Sequence, residues 1–256
     1  MKILSCILYG TGAVLSAIFA VFLLYVLFLA VCCAFINPRK EYGNNSPFYR
    51  FILDSATTAA IKLCRIRVHV QGIEKIPKDS KVLFVCNHRS NFDPIITWHV
   101  LKKWKIAFIS KSSNFKIPFY GRIIRKCCFM AIDRENPKKA IVTINRAAEL
   151  LRNQEVSIGI YPEGTRSKNG QLLSFHTGVF KIAQKADVPI VVLSIVGTEK
   201  ISKRTPFKPT NVYLDVLEVF PSENIKGVKT KTIGMMTRHM IVTNIEKREK
   251  LWQRDM

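Results

Sequence analysis

The stretch that decides the fold is KVLFVCNHRSNFD, Lys81–Asp93. Its apolar run Val82–Cys86 is short, continuous and bounded by polar residues, and this pattern predicts a buried strand. The strand would carry His88 to its C-terminal end, the edge at which open α/β sheets usually bind ligands. Asp93 is a favoured helix N-cap and Pro94 a favoured first helical residue, so a helix is predicted to begin there.

His88 and Asp93 are five residues apart, and two side chains at that spacing on one helix point in different directions. They face each other only if His88 lies in the loop before the helix. In that arrangement the carboxylate holds one imidazole nitrogen and leaves the other free to accept a proton, as a general base requires. The alternative is a loop histidine beside a helix-capping aspartate, and this segment alone leaves both interpretations open.

Charge and cysteine content narrow the class of protein. The 256 residues are 48% hydrophobic, which is enough for one large α/β domain and an anchor. Forty Lys and Arg against 18 Asp and Glu give a net charge of +22, which indicates anionic surroundings such as nucleic acid, an acidic membrane face or phosphorylated substrates. The seven cysteines lack Cys-x2-Cys spacing, so reduced thiols in a cytosolic compartment are predicted rather than zinc or disulfides.

The N-terminal segment predicts a membrane anchor. Ala13–Ile36 contains no charged residue and is long enough to span a bilayer as a helix. A cleaved signal peptide is the alternative, although the run is long for one. If the segment extends back to Ile3, an interruption at Gly10–Gly12 would make it a re-entrant or hairpin pair. Arg39 and Lys40 follow it directly, which favours a cytoplasmic position for the rest of the chain.

Strands and helices alternate over the remainder. This alternation predicts an α/β fold, with a mainly parallel or mixed sheet flanked by helices and preceded by the hydrophobic membrane helix or hairpin. The anchor is assigned to residues 1–40 and the α/β domain to residues 41–256. The predicted strands are Arg67–Gln71, Val82–Cys86, Ile106–Ile109, Phe129–Ile132, Ser157–Tyr161, Val188–Val196 and Asn211–Phe220. Helices are predicted from Pro47, from Asp93 and over Pro137–Leu151, Val179–Lys185 and Thr232–Leu251.

For two of these helices the sequence also predicts what each helix face contacts. The helix from Pro47 is expected to bury one apolar face, made of Phe48, Phe51, Ile52, Ala59, Ala60 and Leu63. The helix from Asp93 carries Trp98, Leu101 and Trp104 among lysines, which suits either a membrane interface or an ordinary amphipathic helix.

A second polar segment, Glu163–Ser167, follows the predicted strand Ser157–Tyr161. Gly164 lets the backbone approach a ligand closely. The Gly164 and Thr165 amides and nearby hydroxyls are able to donate to phosphate oxygens, and Arg166 adds a planar, bidentate donor. Glu163 would either hold Arg166 or accept a substrate hydroxyl. A polar loop with a surface ion pair is the alternative, and a P-loop is excluded because its glycine and lysine spacing is missing.

Together these motifs resemble those of the glycerolipid acyltransferases. Asn87–Asp93, NHRSNFD, resembles their first motif, His-x4-Asp preceded by Asn, and Tyr161–Ser167, YPEGTRS, resembles their third. Val188–Val191 is similar to the fourth motif. The second motif is matched by Lys111, Ile117–Gly121 and Ile132–Arg134. The order and spacing fit, and within the family the chain looks most like the bacterial lysophosphatidate acyltransferases.

The resemblance implies acyl transfer from acyl-CoA or acyl-carrier protein to the sn-2 hydroxyl of 1-acyl-sn-glycerol-3-phosphate, giving phosphatidate. His88 would be the general base and Asp93 its orienting acid. Lysophosphatidate would be bound by Glu163, Gly164, Thr165, Arg166, Arg134 and Lys111. No metal or cofactor is expected beyond the acyl donor. Gly-x-Ser-x-Gly is absent, which argues against a serine nucleophile, and Cys86 belongs to the strand pattern.

Other functions stay open on these motifs. The acceptor would instead be glycerol 3-phosphate or another lysophospholipid, or the chain would be a basic, non-catalytic membrane-binding protein with remnants of the motifs. The second of these predicts losses at His88, Asp93 or Arg166, and all three are present. Nucleic acid is not an expected partner, because RNA-binding aromatic motifs are lacking. The expected partners are membrane lipids and the acyl thioester donor, and the expected location is a bacterial inner membrane with the catalytic domain on its cytoplasmic side.

Overall fold

The computed structural model describes residues 2–133, 136–167 and 170–254. The strands are β1 Ile66–Gln71, β2 Leu83–Cys86, β3 Ile106–Lys111, β4 Met130–Ile132, β5 Ser157–Ile160, β6 Ile190–Val196 and β7 Thr210–Phe220. The α-helices are α1 Lys2–Ala34, α2 Pro47–Leu63, α3 Asp93–Val100, α4 Tyr120–Lys126, α5 Pro137–Arg152, α6 Lys181–Ala186, α7 Ile201–Arg204, α8 Ser222–Ile225 and α9 Thr230–Arg254. Each predicted strand is found, and α4, α7 and α8 are further short helices that the sequence patterns do not predict.

The strands form one mixed sheet in the order β1-β7-β6-β2-β5-β3-β4. β2 lies at its centre and pairs in parallel with both β5 and β6, with Leu83 opposite Ile158 and Ile190. β7 runs antiparallel to β6 and parallel to β1. The connection from β6 to β7 contains only short helical turns, so the chain returns beside β6 in the opposite direction instead of crossing over. The predicted mainly parallel or mixed sheet is confirmed.

Helix α1 is continuous from Lys2 to Ala34, so the hairpin alternative is not what the structure shows. Its segment Tyr9–Ala34 is long and apolar enough to cross a membrane, and its most apolar part is not buried against the rest of the protein. The helix contacts α2 near its C-terminal end, where the Tyr49 hydroxyl donates to the Cys32 carbonyl oxygen at 2.7 Å. The apolar surface of α1 associates the chain with a membrane.

Helix α2 buries a different face from the predicted one. Arg50 is 7% exposed, because its guanidinium donates to the Ile106 carbonyl oxygen at 3.1 Å and lies 4.3 Å from the centre of the Trp98 ring. This buried arginine turns the helix so that Phe51 is 69% exposed and Leu63 is 76% exposed. The prediction for this face was therefore wrong for Phe48, Phe51, Ala59 and Leu63 and correct for Ile52.

The aromatic residues that follow Asp93 belong to the protein core. Trp98 is 1% exposed and its Nε1 donates to Asp54, while Trp104 is 9% exposed and its Nε1 donates to the Pro77 carbonyl oxygen. Of the two alternatives for this helix, the one in which these tryptophans form a membrane interface is therefore wrong. Helix α3 begins at Asp93 as predicted, but Phe92 occupies the N-cap and Asp93 is the first helical residue.

The structure describes the state of six of the seven cysteines. Those whose state the structure describes are all free, and four of them are buried: Cys33, Cys86, Cys127 and Cys128.

Candidate active site

The site begins where β2 ends. The Asn87 side chain accepts from the Ile195 amide of β6 and donates to the Ile195 carbonyl oxygen, each at 2.8 Å. Asn87 is fully buried, so both amide groups find partners away from water. These two hydrogen bonds fix the point at which the chain leaves the sheet, and the next residue is His88.

His88 and Asp93 face each other in the predicted geometry. His88 Nδ1 lies 2.8 Å from Asp93 Oδ2. A nitrogen facing a carboxylate carries the proton, so Nε2 is the ring nitrogen with a free lone pair. No hydrogen bond within the described part of the chain engages Nε2. The His88 side chain is 19% exposed and lines the main cavity of the protein, whereas Asp93 is fully buried.

Asp93 is held by four donors. Its Oδ2 accepts from His88 Nδ1 and from the amides of Arg89 at 2.6 Å and Ser90 at 2.7 Å. Its Oδ1 accepts from the Thr198 hydroxyl at 2.5 Å. Thr198 follows β6 and is also fully buried. A carboxylate with donors on both oxygens has one orientation, so it fixes the tautomer and the plane of the imidazole.

Tyr161 packs against one face of the His88 imidazole. Its ring stacks on His88 with centroids 4.5 Å apart and an interplanar angle of 24°. Its hydroxyl lies 2.7 Å from the Thr97 hydroxyl, which donates in turn to the Asp93 carbonyl oxygen. On the other side Tyr161 stacks on Phe108, which fits beside β5 because Gly159 has no side chain.

The loop Glu163–Ser167 holds the backbone of His88 through hydrogen bonds to its amide and its carbonyl oxygen. Glu163 is 4% exposed, and its carboxylate accepts from the amides of His88 at 2.6 Å and Leu173 at 2.9 Å. The Ser167 amide donates to the His88 carbonyl oxygen at 3.0 Å. Burial raises the pKa of Glu163, and the two backbone hydrogen bonds oppose that shift. The structure thus places both Glu163 oxygens on the protein backbone, rather than on Arg166.

Gly164 is used inside the same loop. Its φ of 72° lies in the left-handed region that favours glycine, and its amide donates to the Tyr161 carbonyl oxygen at 3.0 Å. Gly164 therefore lines the cavity with its backbone while its amide already has a partner.

A cavity of about 920 Å³ opens in front of His88. Its polar side includes Lys111 from the end of β3 and Thr165 and Arg166 from the loop, all exposed. Arg134, the remaining predicted binding residue, lies outside the described residues. The apolar side is formed by residues of α2, α3 and β3, of the segment around β4 and of the segment before α4. These residues are Leu53, Ile95, Trp98, Phe108, Ile109, Ile117, Phe129 and Ile132.

Sequence reasoning missed three supporting residues: Thr198, Tyr161 and Arg89. Thr198 comes two residues after a buried strand that neighbours β2, and its position at the same sheet edge was the available signal. Arg89 lies within the first motif, but the sequence alone assigns it no role. Its side chain is 8% exposed, and it donates to Glu249 of α9 at 2.8 Å and to the Gly170 carbonyl oxygen at 3.1 Å.

Cys86 is not placed to act as a nucleophile. It is fully buried within β2, and this burial raises the pKa of its thiol well above the usual range. Because the thiolate is the reactive form, a thiol in this environment is inert at neutral pH.

Comparison with known proteins shows the family of this chain. Residues 67–196 match the model of the Acyltransferase family. The chloroplastic 1-acyl-sn-glycerol-3-phosphate acyltransferase of Arabidopsis thaliana is 35% identical over 136 residues, which is 53% of this chain and 37% of that protein. The 1-acyl-sn-glycerol-3-phosphate acyltransferase alpha of Bos taurus is 30% identical over 226 residues, 86% of this chain and 76% of that protein. This chain therefore spans well under half the length of the plant relative.

A solved structure is similar as well. The crystal structure of the 1-acyl-sn-glycerophosphate acyltransferase PlsC from Thermotoga maritima matches with a TM-score of 0.69 and 25% identity, covering 88% of this chain and 89% of that one. The family match spans both loops that build the site, from before His88 to beyond Ser167. This chain belongs to the Acyltransferase family.

Proposed function

We propose that the protein transfers a fatty acyl group from acyl-CoA or acyl-carrier protein to the sn-2 hydroxyl of 1-acyl-sn-glycerol-3-phosphate, giving phosphatidate. One observation carries the proposal: an imidazole with a free Nε2, held by a buried carboxylate, at the wall of a cavity that is cationic on one side and apolar on the other. The names of the relatives supply the acceptor. They describe those proteins and support the same assignment here.

In this mechanism His88 Nε2 removes the proton of the acceptor hydroxyl as its oxygen attacks the thioester carbonyl. Asp93 stabilises the imidazolium that forms. When the carbon–sulfur bond breaks, the proton moves from Nε2 to the departing thiolate, so the enzyme returns to its starting state. No acyl-enzyme is needed, which agrees with the inert environment of Cys86.

The polar side of the cavity suits the phosphate of the acceptor, and the apolar side suits an acyl chain. Lys111 and Arg166, with Arg134, would bind the phosphate as cationic donors, and Thr165 would add a hydroxyl. Glu163 contributes by holding the His88 backbone. The apolar side of the cavity would accept an acyl chain, because burying its methylenes there is favourable by about 0.8 kcal/mol each.

We further propose that α1 places the enzyme in a bacterial inner membrane with the catalytic domain on the cytoplasmic side. Arg39 and Lys40 directly after the apolar helix support this orientation. The net charge of +22 supports it too, because the inner leaflet, lysophosphatidate and CoA are all anionic.

The test is acylation of lysophosphatidate by the purified protein in detergent micelles, with acyl-CoA and acyl-carrier protein as separate donors. His88→Ala should lose about 10²- to 10⁴-fold in kcat, the usual contribution of a general base. The matched control is His99→Ala, another histidine of the same segment, whose Nδ1 lies 3.3 Å from the Thr58 hydroxyl outside the cavity. It should keep wild-type activity.

Two results would count against the proposal. If the wild type acylates glycerol 3-phosphate or another lysolipid in preference to lysophosphatidate, the acceptor is wrong. If His88→Ala keeps near-wild-type activity, the general-base mechanism is wrong.

A further inference from the structure

An exposed aromatic residue lies in a strongly basic surface at the end of the sheet. Phe207, between α7 and β7, is 84% exposed. The Arg65 guanidinium donates to its carbonyl oxygen at 2.8 Å, which ties this segment to the C-terminal end of α2, where Leu63 is 76% exposed. We call this surface the Phe207 patch, which consists of Leu63, Phe207 and the exposed cations Lys62, Arg65, Lys203 and Lys208.

The charge of the patch has one sign. Residues 62–71 and 200–210 together contain seven Lys and Arg and no Asp or Glu. An exposed aromatic ring within such a surface is typical of a segment that lies at the headgroup level of an anionic membrane.

The patch lies at the edge of the sheet that carries the active site. β7 begins at Thr210, opposite Ile66 of β1, and its residue Tyr213 pairs with Val196 at the C-terminal end of β6. β6 is parallel to β2, so the C-terminal end of β2, where His88 follows, lies at this same edge.

Helix α2 runs from its contact with α1 to the Phe207 patch. Helix α2 contacts α1 at one end through Tyr49 and ends at Leu63. Its 17 residues span about 25 Å. Phe51, on the outward face between these ends, is 69% exposed. Exposed large apolar side chains are therefore present on α1, at Phe51 of α2 and in the Phe207 patch.

We propose that the Phe207 patch is a second membrane contact, separate from α1. Phe207 and Leu63 enter the interfacial region of the bilayer, and the surrounding cations meet anionic lipid headgroups. This contact turns the active-site edge of the sheet toward the membrane, from which a lysolipid acceptor arrives. The inference rests on the proposed membrane anchorage, and it is tested here without acyl transfer.

The test is photo-crosslinking of the full chain in vesicles of phosphatidylethanolamine and phosphatidylglycerol. p-Benzoylphenylalanine replaces Phe207 in one variant and, as the control, Val142 in another. Val142 is 67% exposed on α5, which packs near β4 and β5 at the other side of the sheet. Mass spectrometry should find phospholipid adducts at position 207 and few at position 142.

A double lysine variant tests how much the positive charge of the patch contributes to the membrane contact. Lys203→Gln with Lys208→Gln should lower the adduct yield at position 207 by about five-fold per lysine removed, the effect expected of a cation near an anionic surface. In vesicles of phosphatidylcholine alone this difference should disappear.

Three outcomes would overturn the inference. These are equal lipid adducts at positions 207 and 142, adducts at 207 to another protein chain instead of lipid, and a yield at 207 that does not respond to the lysine variants. If lipid adducts form at 207 but no lysolipid is acylated, the membrane contact stands and the proposed function fails.

Discussion

Replacing Thr198 by Val tests whether the orientation of Asp93 matters for the reaction. Val keeps the shape of Thr and removes the hydroxyl that donates to Asp93 Oδ1 at 2.5 Å. Thr198 supplies the one hydrogen bond to Oδ1 that the described residues offer, and both residues are fully buried. No water replaces the donor easily, so a carboxylate oxygen is left without a partner.

The size of the expected effect on stability and rate follows from the loss of this hydrogen bond. A buried acceptor that loses its donor costs about 1–3 kcal/mol. The free energy of unfolding should fall by this amount. If the same loss lets the carboxylate and imidazole reorient, kcat should fall by about 5- to 150-fold, because each 1.36 kcal/mol is a factor of ten in rate. KM for the acceptor should change little, since Thr198 does not line the cavity.

Two variants control the measurement. Thr198→Ser keeps the hydroxyl and should retain most of the activity. Thr237→Val makes the same substitution at a buried threonine whose hydroxyl has no hydrogen-bond partner in the described part of the chain, so it should leave kcat unchanged and should not lower the free energy of unfolding. Initial rates at saturating substrates and denaturant unfolding in detergent measure the two quantities. A Thr198→Val protein that is destabilised but keeps kcat within about two-fold of wild type, an activation difference of about 0.4 kcal/mol, would refute the positioning role.

Three further outcomes are expected. Tyr161→Phe keeps the ring beneath His88 and should retain activity with a stability loss of about 0.5–1.5 kcal/mol, whereas Tyr161→Leu should lower kcat as well; comparable kcat values would show that stacking is not needed. Gly159→Ala should destabilise the protein by about 1–3 kcal/mol and lower activity, because a Cβ there would lie 2.5 Å from the Phe108 ring, and Gly178→Ala, with open space around its Cβ, is the control in the same denaturation assay. Burial raises the pKa of Cys127 to about 12, so iodoacetamide at pH 8 should leave this thiol unmodified in the folded protein and alkylate it after unfolding, as peptide mass spectrometry would show; alkylation of the folded protein would contradict the burial.

The central strand and the His88–Asp93 pair could be predicted because their signals are local. The apolar run of β2 is short and bounded, and Asp93-Pro94 marks a helix start that forces His88 into the preceding loop. The parallel pairing of β2 with its neighbours follows from the alternation of strands and helices. These features depend on residues close together in the sequence, and the structure agrees with them.

The face of α2 could not be predicted, because it is decided by distant residues. A pattern of apolar side chains places Phe51 and Leu63 inside, yet Arg50 is buried instead, bound to the carbonyl oxygen of Ile106. For the tryptophans that follow Asp93 the error is the opposite one, because the sequence suggests exposure and the structure buries them. Flanking lysines suggested an interface, but each indole nitrogen finds a partner far along the chain and the rings pack inside.

The role of Glu163 shows why function is harder to read than position. The motif places this carboxylate correctly at the site, and its charge suggests contact with Arg166 or the substrate. In the structure it accepts from the amides of His88 and Leu173, a pairing that no local pattern encodes. Sequence alone identifies the residues that gather at the sheet edge, while the fold decides which of them meet the ligand and which hold the others.

The site is therefore assembled from the ends of three adjacent strands, and this has a consequence for how it can change. β2 supplies the loop with His88, β5 supplies Tyr161 and Glu163, and β6 is followed by Thr198. Glu163 and Thr198 are buried and hydrogen-bonded to the His88 backbone and to Asp93, and Tyr161 stacks on the His88 ring. The contacts that orient the dyad therefore also join the strand ends. Substitutions at Glu163 and Thr198 should lower stability and turnover together, whereas substitutions at the exposed Lys111 and Arg166 should weaken acceptor binding and leave the fold intact. A change of acceptor can accordingly arise on the exposed cationic side of the cavity without disturbing the dyad.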